Sequence, residues 1–442
     1  MPTPELLSPA GTFKSMQYAF AYGADAVYAG QPRYSLRVRN NDFSQLERIA
    51  EAVAYAHDIG KQFFIASNVS PHNDKLRSYL RDMEPVIEMR PDALIMADPG
   101  LIMMVRERWP DMPIHLSVQA NAVNWATVKF WKTMGLTRII LSRELSLEEV
   151  AEIRQECPDI ELEVFVHGAL CIAYSGRCLL SGYITHRDSN QGACTNTCRW
   201  KYQAHEAEEA ASGDVLAVYQ PPPVPEPAAP DNRIYLLQEE GRPGEYMPAY
   251  EDEHGTYIMN SRDLRAIQHV QQLIDIGVDC LKIEGRTKSH YYVARTAQAY
   301  RRAIDDALAG KAFDMELMNE LEKLASRGYT EGFYRRHPPG EFQNYERGVS
   351  RGDYQQFVGE VVAIDRDRGM LSVSVNNRFE VGDKLELMTT GGNCVFTLNE
   401  LSNEKGERRT DAPGSGHVVQ FPIPETAVLA PGERYAMLAR YL

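Results

Sequence analysis

Residues 21–30 (AYGADAVYAG), 57–66 (HDIGKQFFIA) and 133–142 (TMGLTRIILS) decide the architecture. In each, the end of a helical pattern runs into a glycine, and a short apolar run follows within a few positions. Glycine adopts the left-handed conformation that stops a helix without the steric cost other residues meet. Helix, glycine and buried strand together make the returning half of a βαβ unit, in which helices cover parallel strands.

The same alternation extends in both directions. Apolar strand-like runs fall at Glu5–Ser8, Ala26–Ala29, Gln62–Ala66, Ala93–Met96, Ile114–Val118, Arg138–Leu141 and Leu162–Val166. Helical periodicity fills the gaps at Thr12–Tyr22, Phe43–Ile59, Tyr79–Met89, Leu101–Trp109, Ala122–Met134 and Ser146–Cys157. An eighth run, Cys280–Ile283 in GVDCLKIEGR, comes much later, between helical patterns at Ser261–Ile276 and Tyr291–Leu308. Eight strand–helix units predict an α/β fold, a (β/α)8 TIM-like barrel. An open doubly wound sheet uses the same alternation, and strand count alone does not choose between them.

This assigns residues 1–310 to a barrel domain with a cysteine-rich insertion at 168–255. The insertion passes through AEEAASGDVLAVYQPPPVPEPAAPDN, too poor in apolar surface to fold alone and read as an extended excursion. Strand-like IYLLQEE follows. Residues 311–348 read as a connector. From 349 to 442, QQFVGEVVAI, GMLSVSVNN, DKLELMTT, NCVFTLNEL, GHVVQFPI and RYAMLARYL alternate with Gly, Asn and Asp, predicting a small all-β barrel.

The 442 residues exceed one ordinary domain, and 44% hydrophobic with 24% charged residues is a globular composition. The amino terminus, MPTPELLSPAGTF, lacks the basic and apolar regions of a secretory signal, and no apolar run is long enough to span a bilayer. The expected location is cytoplasmic, with no membrane partner. A net charge of −14 excludes indiscriminate nucleic-acid binding, so an RNA partner must be held by specific sites.

Four of the seven cysteines crowd into HGALCIAYSGRCLLSGYITHRDSNQGACTNTCRW: Cys171, Cys178, Cys194 and Cys198, spaced C-x6-C-x15-C-x3-C. Cys157, Cys280 and Cys394 stand alone in apolar settings and read as core residues. In a reducing compartment a cysteine cluster points to metal binding or redox chemistry. Four thiolates can close the shell of a zinc ion or of a cubane iron–sulfur cluster. No C-x2-C knuckle occurs, and Gly168, Gly176, Gly182 and Gly192 let the backbone wrap closely, which suits the larger cluster; zinc stays the alternative.

The run EVFVHGALCIAYSGRCLLS closely resembles the signature of peptidase family U32, the collagenase-like proteases. Glu163, Phe165, Gly168, Ala169, Cys171, Gly176, Cys178 and Ser181 carry the match. PELLSPAG near the start, LKIEGR at Leu281–Arg286 and RGYTEGF at Arg327–Phe333 are similar to the same family, and the resemblance spans nearly the whole chain. ADAVYAGQPRYSLRVRNN and HLSVQANAVNWATVKFW are closer to its tRNA-hydroxylating branch. The resemblance implies a 4Fe–4S cluster on the four cysteines, with Cys198 the least secure ligand. It also implies formation of 5-hydroxyuridine at the wobble position of tRNA, the first step toward 5-carboxymethoxyuridine, linked to prephenate. The electron donor is left unnamed.

The family name implies proteolysis, but the residues do not support it. There is no G-x-S-x-G elbow and no H-E-x-x-H. Cys171 or Cys178 with His167 would be a nucleophile pair, yet a thiolate committed to a cluster is not a free nucleophile.

In (β/α)8 barrels chemistry sits at the carboxyl ends of the strands. Those positions hold Ser8, Asn68, Asp98, Gln119, Asn121, Arg143, Glu144, His167, Glu284 and Arg286, with Arg37 and Arg39 after the second strand. His167 and Glu284 are the expected proton carriers. Arg37, Arg39, Arg143 and Arg286 suit a carboxylate or phosphate, because guanidinium binds both through paired donors. Asn68, Gln119 and Asn121 suit a uracil edge, and Tyr34 or Trp125 would stack on the base. The bland counterparts are rim ion pairs, a structural histidine and packed aromatics. The basic run Tyr334–His337 and Arg327 would touch RNA backbone or form a solvated face. Three other functions stay open: a collagenase-like peptidase, a hydroxylase of another aromatic ring or rRNA base, and a non-catalytic tRNA-binding or cluster-carrier subunit.

Overall fold

The computed structural model describes residues 3–31, 33–36, 41–170, 174–175, 177–178, 181, 262–324, 326, 328–335 and 355–442, with five short strands between 207 and 257. Eight parallel strands form its centre: β1 (Glu5–Pro9), β2 (Ala26–Gly30), β3 (Gln62–Ser67), β4 (Ala93–Met96), β5 (Ile114–Leu116), β6 (Arg138–Ile140), β7 (Glu161–Ala169) and β8 (Cys280–Ile283). Each pairs with the next, and β8 pairs with both β7 and β1, so the sheet closes. Closure selects the barrel over the open sheet.

Around it lie α1 (Phe13–Ala21), α2 (Leu46–Asp58), α3 (Asn73–Glu88), α4 (Pro99–Arg108), α5 (Trp125–Thr133), α6 (Leu147–Glu156), α7 (Val270–Ile276) and α8 (His290–Leu308). Side chains of Thr12, Asp98, Asn124, Ser146 and Ser289 accept amide protons at the helix starts, satisfying groups that have no partner inside the helix. The glycines that punctuate the sequence, Gly23, Gly60, Gly135 and Gly277, all have positive φ.

One expectation fails. Ser261–Ile276 reads as a single helix, but Asp263–Arg265 is a strand antiparallel to β7, followed by a 3-10 turn (Ile267–His269) and only then α7. The cause is tertiary: β7 runs on to Ala169 and offers an unpaired edge, which Asp263, Leu264 and Arg265 fill opposite Ala169, Gly168 and His167. The stretch read as a connector is also built into the barrel. It contributes α9 (Glu316–Glu322) and a short strand, Tyr329–Thr330, parallel to Asp263–Leu264, and Leu317, Leu321 and Leu324 lie in the barrel's core. Within the supposed extended excursion, Ala207–Glu209 pairs antiparallel with Val215–Ala217, and Ile234–Gln238 is a strand as expected.

Residues 355–442 form an antiparallel half-barrel with its own apolar core, including Val358, Leu371, Val373, Phe379, Leu385, Leu387 and Phe421. It rests against α1, α8 and α9. Tyr22 donates its hydroxyl hydrogen to the carbonyls of Met388 and Tyr435, and Lys14 pairs with Glu360. At the centre of this contact Arg295 of α8, only 1% exposed, meets Glu386, equally buried, at 2.6 Å. Glu320, Gln355, Tyr291 and Lys323 complete the network.

Candidate active site

The barrel interior is layered. At its amino-terminal end Arg138 bridges Glu5 (2.7 Å) and Glu161 (2.8 Å) and reaches Glu163. Lys282 binds Glu163 at 2.7 Å and lies over the Tyr28 ring. Glu163, an acidic residue of the signature, is therefore a fully buried partner of two cations in the barrel floor. An open cleft of about 410 Å3 at this end, lined by Glu5, Asp25, Arg138, Glu161 and Asp279, lies opposite the end where barrels do chemistry.

The carboxyl-terminal mouth carries a polar belt. Arg286 donates to Ser35 Oγ at 2.6 Å and to the Leu36 carbonyl at 2.5 Å. The Leu36 amide donates to Asn68 Oδ1 (3.2 Å), and Asn68 Nδ2 donates to Ser117 Oγ (3.2 Å). The belt thus ties the loops after β8, β2, β3 and β5 together. Gly30 is required beneath it, since a Cβ there would stand 2.6 Å from Ser35 Oγ and 2.8 Å from Arg286 Nη1. Asn68 and Arg286, expected to touch substrate, spend these hydrogen bonds on the frame.

Gln119 lies in a 3-10 turn (Val118–Ala120) after β5, and Asn121 follows with φ +52°. Asn121 Nδ2 donates to the carbonyls of Gln119 and Ser175, both at 2.9 Å. Ser175 lies between Cys171 and Cys178, so this bond moors the cysteine-bearing segment to the mouth. Asn121 Oδ1 is buried and accepts no hydrogen bond among the described residues. Cys178 is half-buried; Cys171, Cys194, Cys198, Arg37 and Arg39 lie outside the described residues.

The end of β7 explains part of the signature. The register shifts between Lys282 and Ile283, which face Phe165 and His167, leaving Val166 as an extra residue. Gly168 has φ +110°, and a Cβ there would lie 2.5 Å from the Glu284 carbonyl oxygen. The Glu284 amide donates to the His167 carbonyl at 2.8 Å. Glu284 is thereby held at the mouth, buried, with Tyr292 donating to its carbonyl.

His167 is placed differently from the expectation of an open-mouth proton carrier. It is 1% exposed, in a cage of Tyr292, Tyr300 and Tyr329 with ring centroids 5.5–5.8 Å away. Burial, aided by the charges of Arg265 and Lys288, pushes its pKa down to about 3, so the ring is neutral at ordinary pH. Its Nε2 has no hydrogen-bond partner among the described residues. Tyr292 and Tyr300 lie about two turns apart on α8 and Tyr329 falls in the RGYTEGF stretch, but nothing local in either sequence points to His167.

Other expectations resolve as structure. Tyr34 is fully buried and hydrogen-bonded to Asp82, so it cannot stack on a base. Trp125 is partly exposed, but its carbonyl contacts Cys157 Sγ at the carboxyl-terminal cap of α6, away from the mouth. Asp98 caps α4, and Glu144 accepts from Ser142. Ser8 is fully buried. Tyr334 is buried and donates to the Phe165 carbonyl at 2.7 Å, while Arg335 is exposed and pairs with Glu331. Arg327, Arg336 and His337 lie outside the described residues. Arg143 lies with its guanidinium 4.0 Å from the Phe165 ring centre and donates to the Ala169 carbonyl.

A parallel barrel whose polar belt and cysteine-bearing segment share one end, with an antiparallel half-barrel on its flank, defines a barrel protein with its site at the strands' carboxyl termini. The chain belongs to peptidase family U32: residues 11–344 match that family's model and residues 353–437 match the model of its C-terminal domain. It is 62% identical over 443 aligned positions to tRNA hydroxylation protein P of Escherichia coli, covering 99% of this chain and 96% of that one. It is 58% identical to the Haemophilus influenzae protein of the same name, with the same coverage. To the 23S rRNA 5-hydroxycytidine C2501 synthase of Escherichia coli it is 31% identical, covering 90% of this chain and 54% of that one. Among the described residues no helix is long and apolar enough to cross a membrane.

Proposed function

We propose that the chain hydroxylates tRNA, converting the wobble uridine to 5-hydroxyuridine, with a prephenate-derived carboxylate as a linked co-substrate. The observation that carries this reading is the 62% identity, end to end, with a tRNA hydroxylation protein. Cys171, Cys178, Cys194 and Cys198 would hold a 4Fe–4S cluster. The donor set fits, since four thiolates match the ligand number of such a cluster and the segment bearing Cys171 and Cys178 is moored at the mouth through Asn121 and Ser175. When bound, the cluster supplies one-electron redox chemistry. The chain's own residues bind and orient: Asn121 holds the cysteine-bearing segment through Ser175, Gln119 lies beside it at the mouth, and Arg143 would meet anionic groups of the substrate. Arg37 and Arg39 would assist Arg143. Glu284, fixed by its backbone at the mouth, is the better-placed proton carrier, with His167 held neutral behind it.

Nucleoside analysis of tRNA from a deletion strain, with and without the restored gene, tests the reading. Loss of 5-hydroxyuridine derivatives and their return on complementation are expected, with no return for Cys178→Ala. Unchanged tRNA with a missing hydroxylated rRNA base would move the assignment to the rRNA reaction suggested by the 31% relative. Unchanged nucleosides throughout, with gelatin cleavage by the purified chain, would favour the peptidase.

A further inference from the structure

Most lysines and arginines on the barrel face a carboxylate. Lys14 meets Glu360, Arg33 meets Asp82, Arg108 meets Glu84, Lys129 meets Glu156, Arg154 meets Asp279 and Arg301 meets Asp25. Arg143, Arg262 and Lys288 have no carboxylate partner among the described residues, and all three stand at the end of β7. Arg143 comes from the loop after β6 and donates to the Ala169 carbonyl. Arg262 immediately precedes Asp263, which pairs with Ala169. Lys288 lies in the loop after β8, against Gly285 and the Tyr292 ring, next to the Glu284 carbonyl that Gly168 approaches. Arg77 and Arg90, likewise unmatched, lie on and after α3, Arg106 of α4 donates to the Met112 carbonyl, and Arg177 stands beside Cys178.

The acidic side chains nearby are occupied or enclosed. Glu144 accepts from Ser142, Glu331 is bound by His269 and Arg335, and Asp263 and Glu284 are buried. At the opposite end of the barrel the carboxylates around the cleft are matched: Arg138 pairs with Glu5 and Glu161, Arg301 with Asp25 and Arg154 with Asp279. A chain of net charge −14 thus presents uncompensated cations beside the strand that leads into Cys171. Such cations draw a polyanion to that end of the barrel.

We propose that Arg143, Arg262 and Lys288 form a phosphate-binding rim that seats the sugar–phosphate backbone of an RNA loop across the end of β7, turning the target base toward the mouth. This rests on the tRNA reading above. The three cations reach the rim from three separate loops, and none is fully buried. Spread, solvent-accessible cations suit successive phosphates of a chain; one small dicarboxylate would call for donors converging on a single enclosed point.

The test is binding of unmodified tRNA to the purified full chain by fluorescence anisotropy over a salt series. Arg143→Gln, Arg262→Gln, Lys288→Gln and the triple variant are compared with Lys384→Gln, an exposed cation of the half-barrel. Thermal melts select variants that retain the fold. Each rim substitution should weaken binding and reduce the slope of log K against log salt by about 0.7–0.9. The triple variant should lose about three times that, and Lys384→Gln should match wild type. If wild type binds tRNA and the folded triple variant binds with the same affinity and slope, the rim is refuted while the tRNA reading stands. If the rim variants keep tRNA binding but raise only the KM for a carboxylate co-substrate, the rim is again refuted, as a small-anion site. Failure of wild type both to bind tRNA and to alter its nucleosides would instead remove the reading on which the rim depends.

Discussion

Replacing Arg295 with alanine should loosen the half-barrel from the barrel. Arg295 is a fully buried cation whose Nη atoms bond Glu386, Glu320, Gln355 and the Tyr291 hydroxyl across the two cores. Its removal leaves Glu386, 1% exposed, with only Lys323 at 3.0 Å and Gln355 at 2.6 Å. Breaking a buried pair from one side costs about 3–5 kcal/mol. The carboxylate gives a consistent figure: although burial alone would raise its pKa, Arg295 leads the charges that bring it from 4.5 down to about 2. At 1.36 kcal/mol per unit the whole shift is roughly 3 kcal/mol, shared by Arg295, Lys323 and Gln355 against the cost of burial, so Arg295 accounts for the largest part of it. The sign follows from linkage. A carboxyl whose folded pKa is depressed stabilises fully above its unfolded value, and that stability is lost as pH falls through the folded value. Urea unfolding of wild type and Arg295→Ala should therefore differ by about 3 kcal/mol at pH 7, and the gap should narrow between pH 4.5 and 2. Arg295→Met with Glu386→Leu should recover most of the loss, because a packed apolar pair replaces the charges without leaving either alone. A loss below about 1 kcal/mol at pH 7, the size of an exposed ion pair, would refute this account.

Further expectations are direct to check. Gly168→Ala must place a Cβ against the Glu284 carbonyl and strain a φ of +110°; a drop of more than about 2 kcal/mol in thermal unfolding is expected, and near-neutral stability would contradict the geometry. His167, with a folded pKa of about 3, binds fewer protons than in the unfolded chain between pH 6.5 and 3, so it costs stability as pH falls through that window. His167→Gln should show a shallower decline of Tm from pH 7 to 4 than wild type, and parallel curves would count against the tyrosine cage as the cause. Cys178→Ala, purified without oxygen, should lose iron, sulfide and the broad absorption near roughly 400 nm expected of thiolate-bound iron; zinc in the wild type would overturn the redox reading.

The barrel was legible because its signals are local. A glycine at a helix end and a buried apolar strand declare themselves within ten residues, and Gly23, Gly60 and Gly135 do so at positive φ. Asp263–Arg265 was not legible, since its strand state depends on an edge of β7 nearly a hundred residues earlier. The mouth was legible as a position: strand ends predicted Asn68, Gln119, Asn121, Arg143, Glu284 and Arg286 near one another. Their roles were not, because the hydrogen bonds that Asn68 donates to Ser117 and Arg286 donates to Ser35 commit both to the frame. Sequence order also hid which way His167 points. One extra residue in β7 sets the register that places it among tyrosines drawn from α8 and the Tyr329–Thr330 strand.

The pairing of Ala169 with Asp263 has a consequence for how such a protein can diversify. The chain leaves β7 and returns to the same strand, so the segment between 169 and 263 stands on two adjacent feet. Barrel closure, carried by β8 on β7 and β1, does not pass through it. Lengthening such a loop adds only a logarithmic entropy cost, about 0.6 kcal/mol per doubling. The segment is a cassette: evolution can rewrite its length and surface, and with them what is offered to the mouth, while the eight-stranded frame beneath is inherited unchanged.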